Sequence, residues 1–424
     1  MTPRKILITN NTLDLRAGSE MYALDLAREL RDRGFAPMAF STVLGDVAAE
    51  LRLLTVPVTD DLRSMTLPPD VIHGQHHLET MAALEHFPGV PAIYLCHGWL
   101  PWEEIPPIHP RIFRYVAVDE TVRDRLLFEH GISAGKVEVI LNFVDLDRFP
   151  QRQRPLPERA GRALVYSNDL ANGPVIDMIR AACGQRGISL DLRGFSTGSA
   201  LTDPEHFLGQ YDIVFARGRS AIEALAAGAA VIPITTEKFG PMVTVENLDE
   251  LRTMNFGIRA VKEAMSAAGI LREIDRYDAS DATAVTGRVR SVAGIDAAVD
   301  ALGRLYEEAI VWDSGKVEVA SERAAVAGYL QWIAGALKGR VIGMTYAPAL
   351  RRRVDALANE VERLEAERRS LSDEVEALRS SVAPLENEKA TLQALLAKAE
   401  SENRDWQRSV RGRAITLVRK LFWR

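Results

Sequence analysis

Cysteine is nearly absent. The two present, Cys96 and Cys183, stand far apart, with no Cys-x-x-Cys and no Cys/His ligand spacing around them. That excludes a disulfide framework and a structural zinc site of the usual spacing, and it fits a reducing cytoplasm. Long apolar runs are missing too. No stretch reaches the roughly 20 residues that span a bilayer, and the opening MTPRKILITNN lacks the apolar core of a signal peptide. An excess of basic charge is lacking as well. The formal net charge is −6, which argues against nucleic acid as a partner for the body of the protein. These absences point to a cytoplasmic chain whose 424 residues suffice for two or three domains.

What is present is alternation. Apolar runs at Lys5–Thr9, Pro37–Ser41, Asp70–Gly74, Pro91–Cys96, Tyr115–Val118 and Val137–Leu141 read as strands. A helix from about Ser19 keeps Tyr22, Ala23, Leu26, Ala27 and Leu30 on one face and ends at Gly34. A linker, Pro150–Gly161, interrupts the pattern before strands resume at Ala163–Ser167, Ser189–Arg193, Ile213–Phe215 and Ala230–Ile234. Strand-then-helix order demands parallel sheets covered on both faces. The expected class is α/β, with two Rossmann-like domains at 1–150 and 151–312, helical segments at roughly 294–312 and 318–338, and a helical return segment at 313–347.

Residues 211–234, YDIVFARGRSAIEALAAGAAVIPI, combine a strand, a Gly turn and an Ala-rich helix. A helix N-terminus offers unpaired N–H groups and a positive dipole end, so this turn can hold an anion. Ser220 is the expected N-cap, and Arg217 and Arg219 add charge suited to a diphosphate. Glu223, one helical turn on, is placed to accept from a ribose hydroxyl. An ordinary βαβ packing unit with solvated arginines fits the same segment.

Past Pro348 the period changes. Val354, Val361, Val375, Val382, Leu396 and Val410 share one heptad position; Leu357, Leu364, Leu371, Leu378, Leu385, Leu392, Ala399 and Trp406 share the other. Residues 348–409 therefore read as a coiled coil, about 90 Å long if fully helical. β-branched residues at one seam position with leucine at the other favour a parallel homodimer. Arg368, Lys389 and Asn403 interrupt the seam, and Pro384 is expected to kink or split the rod near Val382. The tail, 410–424, sets Ala414, Leu417, Val418, Leu421 and Phe422 on one face beside Trp423. Residues 404–424 carry seven basic side chains against one acidic. Such a helix suits the surface of an anionic membrane, a partner protein, or a frayed end.

Several phrases, in order, resemble the retaining GT-B glycosyltransferases of the family 4-like class: RAGSEMYALDLARELRDRG (Arg16–Gly34), PDVIHGQHH (Pro69–His77), VPAIYLCHGW (Val90–Trp99), VAVDETVRDRL (Val116–Leu126), VEVILNFVDLDRF (Val137–Phe149) and SAIEALAAGAAVIP (Ser220–Pro233). The resemblance implies two Rossmann-like domains facing a cleft, the nucleotide-sugar held mainly by the second and a glycan or lipid-linked acceptor by the first. It places Gly18 in the turn near the donor phosphates, makes His97 the active-site histidine, and gives Glu223 the ribose. Asp145-Leu146-Asp147 then reads as a structural turn, and His73, His76, His77 and Glu79 as loop or acceptor residues. No metal and no cofactor beyond a UDP- or GDP-linked donor are expected.

The sequence departs from the pattern twice. The paired glutamate expected eight residues before Glu223 is Phe215, and the basic pair expected early in the second domain is replaced by YSNDLANGP, Tyr166–Pro174. A shifted donor site is then expected to use Asn168, Arg217, Gly218, Arg219 and Ser220, with Gly240 of the run Glu237–Gly257 bringing backbone N–H groups to the sugar. The expected function is metal-independent hexosyl transfer in bacterial surface polysaccharide assembly. The alternatives are a catalytically degenerate GT-B scaffold acting through its coiled coil, and a nucleotide-sugar epimerase.

Overall fold

The computed structural model describes residues 2–170, 173–194, 203–312, 314 and 317–422. Tail residues Trp423 and Arg424 lie outside them. The chain forms two compact units, Met1–Gln331 and Trp332–Arg424.

The first unit holds two parallel sheets. One is built from β1 (Lys5–Thr9), β2 (Ala36–Phe40), β3 (Val58–Thr59), β4 (Val71–Gln75), β5 (Ala92–Cys96), β6 (Ile112–Ala117) and β7 (Val137–Val139), ordered β3-β2-β1-β4-β5-β6-β7. Helices α1 (Gly18–Asp32), α2 (Asp46–Leu53), α3 (His77–His86) and α4 (Glu120–Asp124) connect them. Ile6, Leu7 and Ile8 of β1 are buried, as a strand covered on both faces requires. The second sheet contains β8 (Arg162–Tyr166), β9 (Ser189–Arg193), β10 (Ile213–Ala216) and β11 (Ala230–Pro233), ordered β11-β10-β8-β9, with α5 (Pro174–Gln185) and α6 (Gly218–Ala227) between them. A short hairpin of β12 (Lys238–Phe239) and β13 (Glu263–Ala264), with α7 (Leu248–Thr253), α8 (Ala267–Ile274) and α9 (Ala279–Val292), completes that domain. The run Pro150–Gly161 forms no regular element.

Strand order reverses between β1 and β4 in the first sheet and between β8 and β10 in the second. Ligands of open α/β sheets bind outside the strand ends at such switch points. The two switch points therefore predispose the loops after β1, β4, β8 and β10 to line a site.

Three expectations are corrected here. Helix α10 (Ile295–Val311) follows the second domain in the chain but joins the core of the first. Its buried stripe Ile295, Ala298, Val299, Leu302, Leu305, Tyr306 and Ala309 packs there, and the Tyr306 hydroxyl meets His73 Nδ1 at 2.7 Å. The crossing out and the crossing back lie side by side, with Val144 bridged to Gly294. Second, the return segment and coiled coil are not separate helices: α11 runs unbroken from Val319 to Phe422. Third, Pro384 does not split it. The proline costs one intrahelical bond and a ring clash with the carbonyl four residues earlier, about 3 kcal/mol, and the helix continues through it. The root of α11 is fastened within the first unit. Glu322 pairs with the buried Arg111 at 3.2 Å, and the Tyr329 hydroxyl lies 2.8 Å from His77 Nδ1.

Both cysteines are buried and free. No helix among the described residues is long and apolar enough to cross a membrane.

Candidate active site

Between the two Rossmann-like domains lies a cavity of about 460 Å³. Its walls include Gly18, Ser19, His97, Trp99, Asp119 and Asn142 from the first domain, and Tyr166, Asn168, Arg217, Gly218, Arg219, Ser220 and Asn255 from the second. Seven of the sequence-predicted residues, Gly18, His97, Asn168, Arg217, Gly218, Arg219 and Ser220, thus share one cavity. Glu223 lines a smaller recess beside it, together with Gly18, Arg148, Tyr166, Asn168, Arg219 and Ser220.

Gly240 does not join them. Its N–H donates to the Pro233 carbonyl at 2.8 Å, and a Cβ on it would lie 2.6 Å from the Ala260 carbonyl oxygen. It is a packing glycine at the hairpin, with no N–H to offer a sugar. Ser220 is not the N-cap either. The chain enters α6 through Gly218 at φ +57°, a conformation suited to glycine, so Arg217 takes the N-cap position and Ser220 falls inside the first turn. Phe215 is a fully buried residue of β10. The connection from β10 to α6 is only Arg217, so position 215 belongs to the buried strand and not to the turn that lines the cavity.

Two helices begin at this cavity without a side-chain cap: α1 after Ala17 and α6 after Arg217. The first N–H groups of each have no intrahelical partner by construction, and both dipoles point their positive ends at the same space. Gly18 leaves room, since a Cβ there would meet nothing within 4 Å.

Beneath the cavity floor runs a buried ionic network. Asp25 of α1 is fully buried and pairs with Arg28 at 2.7 Å, with Arg148 at 3.6 Å, and with Arg219. Arg219 Nε also donates to Glu223 Oε1 at 2.9 Å, and the Tyr166 hydroxyl donates to Glu223 Oε2 at 3.0 Å. Arg148 reaches Glu205 at 3.1 Å. Burial alone would lower the Arg219 pKa; Asp25 and Glu223 more than offset it, so the guanidinium stays charged. Burial, with Glu223 beside it, raises Tyr166 well above the ordinary tyrosine value and keeps its proton in place for that bond. One donor is left over: Arg219 Nη1 is buried with no hydrogen-bond partner. Arg217, by contrast, pairs with Asp169 in an exposed contact, 40% and 52% accessible. Such a pair is worth at most about 1 kcal/mol and yields readily to a better anion.

His97, at the end of β5, sits edge-on to Tyr22 at 4.9 Å between centroids. Its Nε2 lies 2.5 Å from Gln75 Oε1, and its backbone N–H donates to Glu104 Oε2 at 2.8 Å. Burial lowers its pKa to about 4, so the ring is neutral near pH 7. With the amide oxygen as acceptor, Nε2 holds the proton and Nδ1 keeps its lone pair.

Two of the other histidines are held by tyrosines, His73 by Tyr306 and His77 by Tyr329. His76 Nε2 lies 3.4 Å from Glu104, the carboxylate that also accepts from the His97 N–H. Among the described residues no group of three His, Cys, Asp or Glu is placed to hold a metal ion. Asp145 Oδ1 accepts from the N–H groups of Asp147 and Arg148, which makes the Asp-Leu-Asp run a turn. Two cavity residues lie within singled-out runs without being individually expected: Thr121, whose hydroxyl is buried without a partner, and Asn255, whose side-chain oxygen is likewise unpaired.

Residues 16–148 match the model of Glycosyltransferase Family 4. A glycosyltransferase from Rickettsia africae ESF-5, 15% identical, superposes with a TM-score of 0.55 over 74% of this chain and 100% of its own. HepE of Anabaena, solved in complex with UDP and glucose, is 13% identical with a TM-score of 0.52, over 72% of this chain and 99% of its own. No curated protein matches the sequence significantly. The chain thus has the GT-B fold across both Rossmann-like domains, and its first domain carries the pattern of Glycosyltransferase Family 4 over residues 16–148.

Proposed function

We propose that this protein transfers a hexose from a UDP- or GDP-linked donor to a glycan or lipid-linked acceptor, with retention at the anomeric carbon and without a metal. One observation carries the reading: two uncapped helix N-termini and a charged, buried Arg219, whose Nη1 has no hydrogen-bond partner, line one cavity. Such an arrangement suits a diphosphate, and its value rises as the leaving group takes on charge. The ribose falls to the Glu223 recess, and the transferred sugar lies toward neutral His97, which offers it hydrogen bonding rather than charge.

Calorimetric titration with UDP, GDP and their sugars tests this. Saturable binding of one nucleotide family, followed by sugar transfer to an added acceptor, is the expected result. A folded protein that binds none of them acts as a scaffold instead. One that inverts a stereocentre of the donor with no acceptor present is an epimerase.

The same reading gives α11 a role in bringing two copies together near the cytoplasmic face of a membrane, where surface polysaccharides are assembled. The leucine seam is exposed along the helix, from Leu357 at 56% to Leu392 at 58%. The flanking position after each seam cycle is mostly glutamate (Glu360, Glu367, Glu374, Glu388, Glu402). An antiparallel pair would set that row against itself. A parallel pair instead sets Glu374 against Arg379 and places Glu367 and Glu388 beside Arg368 and Lys389 of the second copy. The basic tail would then contact anionic lipid through two chains at once. Co-sedimentation with vesicles containing phosphatidylglycerol, lost when residues 410–424 are deleted, checks the membrane contact.

A further inference from the structure

Asn255 sits in the short segment after α7, next to the start of α6. Asn255 and Phe256 both take left-handed backbone conformations, φ +51° and +49°. Neither is glycine, so the fold must impose the shape. Three backbone bonds do so: Asn255 to Arg252, Phe256 to Leu251 and Gly257 to Met254, all near 3 Å. Phe256 is fully buried and anchors the turn. Arg259, just beyond, pairs with Asp124 at 2.6 Å and lies over Trp99, which ties the segment to the opposite wall. The result is an asparagine that is 8% exposed, lines the cavity, and has a carbonyl oxygen without a hydrogen-bond partner. Its Nδ2 lies 3.7 Å from where a Cβ on Gly218 would be.

A buried acceptor without a donor is costly, and the fold holds this one in a strained backbone at the mouth of the phosphate-binding helix. A phosphate oxygen cannot satisfy it, having no hydrogen to give. A hydroxyl can. The ribose is served by Glu223 in a recess that Asn255 does not line. We infer that Asn255 accepts a hydroxyl of the transferred sugar and so sets which sugar the donor site takes. The inference rests on the donor site proposed above. Asn255 thereby supplies the polar group that Phe215, sealed in the core, cannot.

Asn255→Gly removes the side chain yet keeps the left-handed backbone, so it separates contact from folding; a thermal melt equal to wild type confirms that. Titrations compare the nucleoside diphosphate with its nucleotide-sugar, and with monodeoxy donors, in the absence of acceptor. The expected result is a nucleotide-sugar Kd weakened about tenfold with the diphosphate Kd unchanged. One deoxy donor should bind both proteins equally. Equal weakening of diphosphate and nucleotide-sugar, or no weakening at all, overturns the assignment while leaving the donor site standing. Failure of wild type to bind any nucleotide overturns the donor site, and this assignment with it.

Discussion

Arg219 and Asp25 form a buried ion pair across the two Rossmann-like domains, one from the first turn of α6 and the other from α1. The same arginine lines the cavity and holds Glu223. Under the function proposed above it has two duties, closing the domains and meeting the diphosphate. Arg219→Ala removes the cation paired with Glu223 and leaves Asp25 to Arg28 and Arg148, and a broken buried pair costs up to about 3–5 kcal/mol. Urea unfolding should show that loss, and nucleotide titration the loss of binding. Arg219→Lys keeps the charge but cannot reach both carboxylates and a phosphate at once, so stability should fall less than affinity.

His97 gives a prediction in pH. Its folded pKa, about 4, lies below the ordinary histidine value of about 6.5 because the ring is buried. Between those values the unfolded chain binds a proton that the folded chain refuses. Stability is therefore fully present above about pH 6.5 and falls as pH drops toward 4. His73 and His109, lowered by burial to about 3 and about 4, act in the same direction. Urea unfolding at pH 7 and pH 5 should show a larger loss for wild type than for His97→Gln. Activity of the wild type should show no inflection near pH 6.5 from this ring.

Two glycines separate site from scaffold. A methyl at Gly18 meets nothing and stands in the cavity, so Gly18→Ala should leave stability within about 0.5 kcal/mol and weaken nucleotide binding about tenfold. A methyl at Gly240 presses on the Ala260 carbonyl at 2.6 Å, so Gly240→Ala should cost about 1–3 kcal/mol while nucleotide affinity holds. Thermal unfolding and calorimetry on the pair decide whether the cavity is the nucleotide site.

These cases also show what a sequence can and cannot display. Most expected strands lie within one residue of the observed bounds, because buried parallel strands are short apolar runs bounded by polar turns. β6 begins three residues before the expected start, and β7 ends two before the expected end. The stripe on α10 was equally visible, but an apolar stripe says that a helix packs and not on what. Ser220 drew the N-cap role by residue preference alone; the φ +57° turn at Gly218, a tertiary fact, moved the helix start ahead of it. The place of Asn255 within the run Glu237–Gly257 is illegible for the same reason. Its left-handed backbone and its unpaired oxygen exist only once α7, α6 and the first-domain wall are assembled around it.

The seam of α11 tests the parallel pair most sharply. A chain of 46.9 kDa should scatter light as twice that mass, and Leu364→Asp with Leu371→Asp should return it to one copy while nucleotide binding persists. Leu371→Cys decides direction. The native cysteines are both buried, so a disulfide under mild oxidation reports on position 371 alone. In a parallel, in-register pair the two 371 positions face each other, and the cross-link should form quickly and nearly to completion. An antiparallel pair whose midpoint lies away from residue 371 would separate them beyond the roughly 7 Å that a disulfide allows between Cα atoms. Cross-linking at Leu357→Cys and Leu392→Cys as well, at opposite ends of the seam, excludes an antiparallel pair crossing at any single residue.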